Sequence, residues 1–379
     1  MTCNEFEDIR PYYDQEIPAA MKRIAHSEFF PLLASYVYPG ADIEKVRGLI
    51  QQFQTIRDFQ LEVMRCVIEQ IIARSITEFS YSGIEHIDPA KRYLFVSNHR
   101  DIMLDSSLWQ YILYCNGYET TEITFGSNLM SNPLIIDIGK SNKMFRVERG
   151  GNLRDLHRIS LHLSEYIRYT LIEKRQSVWI AQRNGRTKDG NDSTDQGIIK
   201  MFAMSKPNDK IRALDELNIA PLAISYEWEP CDILKVIELY ESKQMKYTKK
   251  PGEDLNSILT GIVQPKGKVH IACCPPITSD ELQTFDGHTY NDYCKQVAYL
   301  IDSRIYEHYR LTPNNYIAYD IRSGQEVYSK FYTLEQKNIF VNSMRQLQKY
   351  DTFDTDVLYN IYLGIYANAV VNKVQVMKS

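Results

Sequence analysis

From Ile43 to Phe79 the chain places Val46, Ile50, Phe53, Ile56, Phe59, Leu61, Met64, Val67, Ile68, Ile71 and Ile72 mostly three or four residues apart. That spacing predicts helix, and residues 1 to about 85 read as helical throughout. The pattern then changes. Short apolar runs appear at 93–96, 123–125, 177–180, 221–224 and 269–272, separated by helical stretches such as Leu153, Leu156, Ile159, Leu163, Ile167 and Leu171. Strands interleaved with helices predict an α/β core. Beyond Pro275-Pro276 the helical period returns at 290–309 and 334–350, with a turn-rich, irregular connection expected over 311–330. The expected organisation is an N-terminal helical region (1–85), an α/β domain (86–290) and a C-terminal helical extension (291–379).

Composition narrows the class. The 379 residues are 44% hydrophobic and 24% charged, which excludes a disordered or fibrous chain. No run approaches the ~18 apolar residues of a membrane span, and the mean hydropathy is -0.37. The acidic start, MTCNEFEDIRPYYDQEIP, lacks a secretory pattern, so a cytoplasmic protein is expected. Seven scattered cysteines do not form a disulfide framework, and no Cys/His spacing suggests a metal. The 27 tyrosines against 14 Phe and 3 Trp suit half-wet surfaces, and those near the C-terminus could face lipid or pack.

The net charge of -4 hides an asymmetry. Between Lys143 and Lys188 lie eleven Lys/Arg and four acids, +7 for that stretch and -11 for the rest. Arg158, Arg168, Lys174 and Arg175 read as a solvated basic helix face. Arg149 and Arg186 each follow a strand-like run and border glycine, where a guanidinium fork suits an anion. Gly185 to Gly190 lacks the Gly-Lys-Ser/Thr of a nucleotide loop, and no G-x-G-x-x-G follows a strand. Few aromatics interleave with the basic stretch, so nucleic acid is not an expected partner.

The densest chemistry is Ser97-Asn98-His99-Arg100-Asp101-Ile102-Met103-Leu104-Asp105-Ser106. His99 follows a strand ending at Val96, where α/β enzymes place functional groups. A histidine can take a proton from a hydroxyl, and a carboxylate can fix its tautomer. With no G-x-S-x-G, no serine nucleophile is indicated, so the hydroxyl would be the substrate's own.

This stretch resembles the His-(X)4-Asp signature of the glycerolipid acyltransferase superfamily, the glycerol-3-phosphate and 1-acylglycerol-3-phosphate acyltransferases. Three further blocks follow in the family's order. Lys143 to Gly150 resembles the second, Ile180 to Gly190 the third and Ile219 to Glu227 the fourth, so the resemblance runs over about 94–277. Two departures stand out. Asp105 follows His99 after five intervening residues rather than four, with Asp101 also nearby, and Gln182 and Arg183 stand where the third block carries glutamate.

The resemblance implies transfer of a fatty acyl group from acyl-ACP or acyl-CoA to a hydroxyl of glycerol 3-phosphate or a lysophospholipid such as 1-acylglycerol 3-phosphate. His99 would be the base and Asp105 its partner, with Arg149, Arg186, Lys188 and Gly185 at the acceptor. It implies an α/β fold with an acyltransferase-type central mixed sheet and flanking helices, no cofactor and no metal, a thioester of CoA or acyl carrier protein as partner, and peripheral contact with the inner face of the membrane. Other acceptors, dihydroxyacetone phosphate or an aminolipid precursor, and a lipid-binding protein that has lost catalysis are the alternatives.

Overall fold

The computed structural model describes residues 3–130, 132–148, 150, 152–244 and 247–378. Seven strands form one sheet: β1 (Ile76–Ser82), β2 (Leu94–Ser97), β3 (Glu122–Gly126), β4 (Met144–Val147), β5 (Val178–Ala181), β6 (Ile219–Tyr226) and β7 (Gly267–Cys273), in the order β1-β7-β6-β2-β5-β3-β4. Strands β6, β2, β5, β3 and β4 run parallel, while β7 pairs antiparallel with β6 and carries β1 parallel to itself. The sheet is mixed, as the family resemblance implies.

The central strands are apolar on both sides because both faces are covered. In β2, Leu94 and Val96 pack with the helices Leu153–Ile172, Gln196–Ala203 and Tyr290–His308, whereas Tyr93 and Phe95 join Trp109, Trp179 and Ile271 on the other face. This is the two-residue alternation of a pleated strand. Separate cores form among the N-terminal helices and among the C-terminal ones.

Three expectations are corrected. The apolar period over 43–79 is not one helix: it gives Ile43–Ile50, Ile56–Phe59, a π-helical turn at Gln60–Met64, then Arg65–Ser75. From Ile76 the chain is strand, since Ile-Thr-Glu-Phe-Ser-Tyr-Ser alternates β-branched and aromatic residues with polar ones. The sheet therefore begins before residue 86. Second, 311–330 is not irregular, because Pro313–Ser323 is helix. Its signals are local: Thr312 and Asn315 form a capping box, Pro313 opens the first turn and Gly324 closes it at φ +67°. Third, the basic helix face is not simply solvated. Arg168 reaches Glu216 at 2.9 Å and Lys174 pairs with buried Glu122.

The C-terminal tyrosines pack. Tyr306, Tyr309, Tyr362 and Tyr366 are buried, and the hydroxyls of Tyr362 and Tyr366 donate to Asp232 at 3.1 and 2.7 Å. No helix among the described residues is long and apolar enough to cross a membrane.

Asp302, on the Tyr290–His308 helix, accepts from the Thr194 amide and hydroxyl at 2.8 and 2.6 Å. Burial pushes its carboxyl up to about 7, the Thr194 bonds opposing and Asp192 adding to the rise. Unfolded, the same group ionises near ~3.9. As pH climbs from about 4 to 7 the unfolded chain releases this proton first, so Asp302 subtracts stability across that window. Asp302→Asn keeps an acceptor for Thr194 and removes the titration. Its gain over the parent in urea unfolding is expected to be larger at pH 8 than at pH 5.

Candidate active site

β2 ends at Ser97, and the next eight residues build the site. Asn98 ties β2 to β6, its amide accepting from the Ile224 N–H at 2.7 Å and donating to the Ile224 carbonyl at 3.0 Å. His99 follows, with its backbone carbonyl held by the Thr187 N–H at 2.7 Å. The loop of the third block is thus fixed directly to the histidine. The imidazole edge meets Trp179, ring centroids 5.6 Å apart.

His99 Nδ1 lies 2.9 Å from Asp105 Oδ2. Asp105, in the first turn of the Leu104–Cys115 helix, is wholly buried. Its Oδ2 also accepts from the N–H groups of Arg100 and Asp101 at 2.5 and 2.9 Å, and its Oδ1 from the Tyr226 hydroxyl at 2.8 Å. An acceptor saturated by three other donors fixes His99 as the Nδ1–H tautomer. Nε2 is left with its lone pair, on a side chain 13% exposed. Burial first, then Asp105, raises the Tyr226 phenol well above its usual range, so it remains a donor.

Asp101 does something else. Its Oδ1 accepts from the Met103 and Leu104 N–H groups at 2.9 and 2.8 Å, capping the 104–115 helix. Its Oδ2 has no partner and faces Gly261, where an added Cβ would come within 2.1 Å of it. Burial, then Asp105, raises this carboxyl. The five-residue gap is absorbed because Arg100 and Asp101 turn their amides onto Asp105.

Arg100 points away from His99 into a buried network. It contacts Asp192 at 2.6 Å and Glu229 at 3.0 Å, and Lys235 bridges Glu229 at 2.5 Å. Burial alone would lower the guanidinium, but Asp192 and Glu229 outweigh it and raise it. The Tyr306 and Tyr309 hydroxyls also reach Asp192. Gly190, at φ +76°, lets the loop pass the terminal Thr355–Lys378 helix, since a Cβ there would sit 2.0 Å from the Ile365 carbonyl oxygen. The C-terminal helices are therefore part of the scaffold that holds the loop beside His99.

The basic candidates divide. Arg186 Nη2 contacts Ser257 at 3.2 Å, and Nη1 is buried with no partner. Lys188 is already paired with Glu238. Gly185 lies at φ +78° with open space around its Cα. Arg149 lies outside the described residues. At the carboxyl end of β4 is a cleft of about 480 Å³ lined by Arg146, Arg158 and His162. Gln182 is wholly buried, and both of its amide atoms lack partners. The supports missed by sequence reasoning are Tyr226, Asp192, Glu229 and Tyr309. They meet the 98–105 stretch only through contacts spanning 92 residues or more, and no local pattern marks them.

A mixed α/β sheet with a carboxylate–histidine pair at the carboxyl end of a central strand is an arrangement suited to general-base chemistry. Residues 78–225 match the Acyltransferase family model, in agreement with the resemblance drawn from the sequence. No curated protein matches the chain in sequence. Among solved structures, that of the 1-acyl-sn-glycerophosphate (LPA) acyltransferase PlsC from Thermotoga maritima is 14% identical, with 74% of this chain and 91% of that chain covered and a TM-score of 0.34.

Proposed function

We propose that this acyltransferase moves a fatty acyl group from the thioester of acyl-CoA or acyl-ACP to a hydroxyl of glycerol 3-phosphate or 1-acylglycerol 3-phosphate. The observation that carries this reading is the 2.9 Å His99–Asp105 contact, with the carboxylate saturated by buried donors and Nε2 free. Nε2 removes the proton of the acceptor hydroxyl, and the oxygen forms a C–O bond at the thioester carbonyl. The tetrahedral intermediate collapses, the C–S bond breaks, and the imidazolium returns its proton to the departing sulfur. Ester and free thiol result, with no covalent enzyme intermediate. Asp105 holds the ring and stabilises its charged form throughout.

Arg186, with one guanidinium nitrogen unspent beneath the 253–263 helix, is the group to meet the acceptor's phosphate, joined in this proposal by Arg149. Lys188 is the weaker candidate because Glu238 already holds it. A lipid product calls for peripheral attachment to the inner face of the membrane.

The two aspartates give a test. In Asp105→Asn the amide nitrogen meets donors on either side, and the His99 tautomer is no longer fixed. Turnover in a thiol-release assay is expected to fall by roughly 10²–10⁴-fold. In Asp101→Asn the amide oxygen keeps the helix cap, and the loss is expected to stay below about tenfold, under ~1.4 kcal/mol of barrier. The reverse order would assign the partner role to Asp101.

A further inference from the structure

A cleft of about 460 Å³ lies far from His99, within the ~300–1,000 Å³ range of small-molecule sites. Its floor is the amino-terminal edge of the parallel strands: Glu122 opens β3, Lys143 precedes β4 and Gln176 precedes β5. His99 follows the carboxyl end of β2, which runs parallel to β5, so the two sites sit on opposite edges of the sheet. The Leu104–Cys115 helix separates them. At 100° per residue Ser107, Tyr111 and Tyr114 share the face that lines the cleft, and Asp105 lies on the other.

Several features suit the cleft to a ligand. One wall is apolar, supplied by Ile56, Leu61, Met64 and Ile68. That wall includes the π-helical turn Gln60–Met64, a rare conformation that concentrates at functional sites. On the floor Lys143 takes φ +58°, a left-handed strain that a β-carbon resists. Most of its polar groups are already satisfied: Glu122 by Lys174 and Tyr166, Lys143 by Thr120 and Gln176. Two are not. The buried Ser107 hydroxyl, in the cleft lining, has no partner among the described residues and is open to a polar atom placed in the cleft. Exposed Arg57, in the cleft lining, has no ion-pair or hydrogen-bond partner among the described residues. Across the lining, Arg57, Arg65, Lys143 and Lys174 stand against Asp14, Glu119 and Glu122, leaving one positive charge in excess.

We propose that this cleft binds a single-chain anionic amphiphile at a site separate from the catalytic one. The chain lies along Ile56, Leu61, Met64 and Ile68, the anionic head meets Arg57, and Ser107 completes its hydrogen bonding on a polar atom of the ligand. The proposal does not rest on the acyl-transfer reading. A carboxylate and a phosphate monoester share the chemistry, and the probes distinguish them.

The test is photolabelling of the full chain with diazirine-bearing dodecanoate, dodecyl phosphate and dodecanol, followed by mapping of the labelled peptides. One or both anions are expected to label residues 56–68 and 107–118 saturably, the stronger of the two naming the head group, with the alcohol at least about tenfold weaker. Arg57→Glu, an exposed change, is expected to cut that labelling by a similar factor with an unchanged melting temperature, and His99→Ala to leave it intact. The proposal is overturned if label appears only around His99 and Arg186, if the alcohol labels the cleft as well as both anions do, or if Arg57→Glu labels like the parent.

Discussion

His99→Ala is expected to lower thioester-dependent acyl transfer by at least roughly 10²–10⁴-fold, the usual contribution of a positioned general base, while leaving the fold in place. The two halves of this expectation have separate grounds. Activity falls because, in the proposed mechanism, the Nε2 that takes the acceptor's proton is gone. Stability holds because the side chain is partly exposed and the donors on Asp105 other than His99 remain: the amides of Arg100 and Asp101 and the Tyr226 hydroxyl. The carboxylate is therefore not abandoned in the interior. Circular dichroism melting alongside the rate measurement separates the two, and a variant that keeps near-parental turnover would remove the histidine from the mechanism.

Arg100→Met is expected to act in the opposite way, through the fold. Arg100 is buried with Asp192 and Glu229, and Lys235 supplies the second positive charge to the pair of acids. Deleting the guanidinium leaves one buried negative charge uncompensated, and losses of about 3–5 kcal/mol follow from breaking such pairs. Asp192 suffers most, since Arg100 reaches its Oδ2 through two nitrogens. Adding Asp192→Asn restores charge balance and is expected to recover much of the loss, which urea unfolding of the single and double variants would measure. If Arg100→Met alone costs less than about 1 kcal/mol, the network is not holding the loop.

The comparison of sequence with fold separates local information from long-range information. The central strands and the His99 stretch were legible because their signals are contiguous: apolar runs bounded by turns, and a histidine just past one of them. β1 was hidden because a helical period runs into it without a break, and β4 because four residues, one of them Arg146, are too short a run to show a strand pattern. The choice between Asp101 and Asp105 was not legible, since both lie near His99 in sequence. What decides the geometry is which carboxylate collects the two backbone amides and Tyr226, and Tyr226 lies 121 residues away. Charge misled in one respect. Much of the +7 stretch is spent inside the fold, on Glu122, Glu216 and Glu238, leaving Arg186 as the described cation with an unspent nitrogen beside the site.

The most direct test is acceptor-dependent thiol release by the purified full chain, with acyl-CoA and acyl-ACP each offered glycerol 3-phosphate and 1-acylglycerol 3-phosphate, and the lipid products identified. The account predicts free thiol and the matching new ester in equal amounts for at least one pair, abolished in His99→Ala. Release that is absent from every pair, or that proceeds undiminished in His99→Ala, would contradict it.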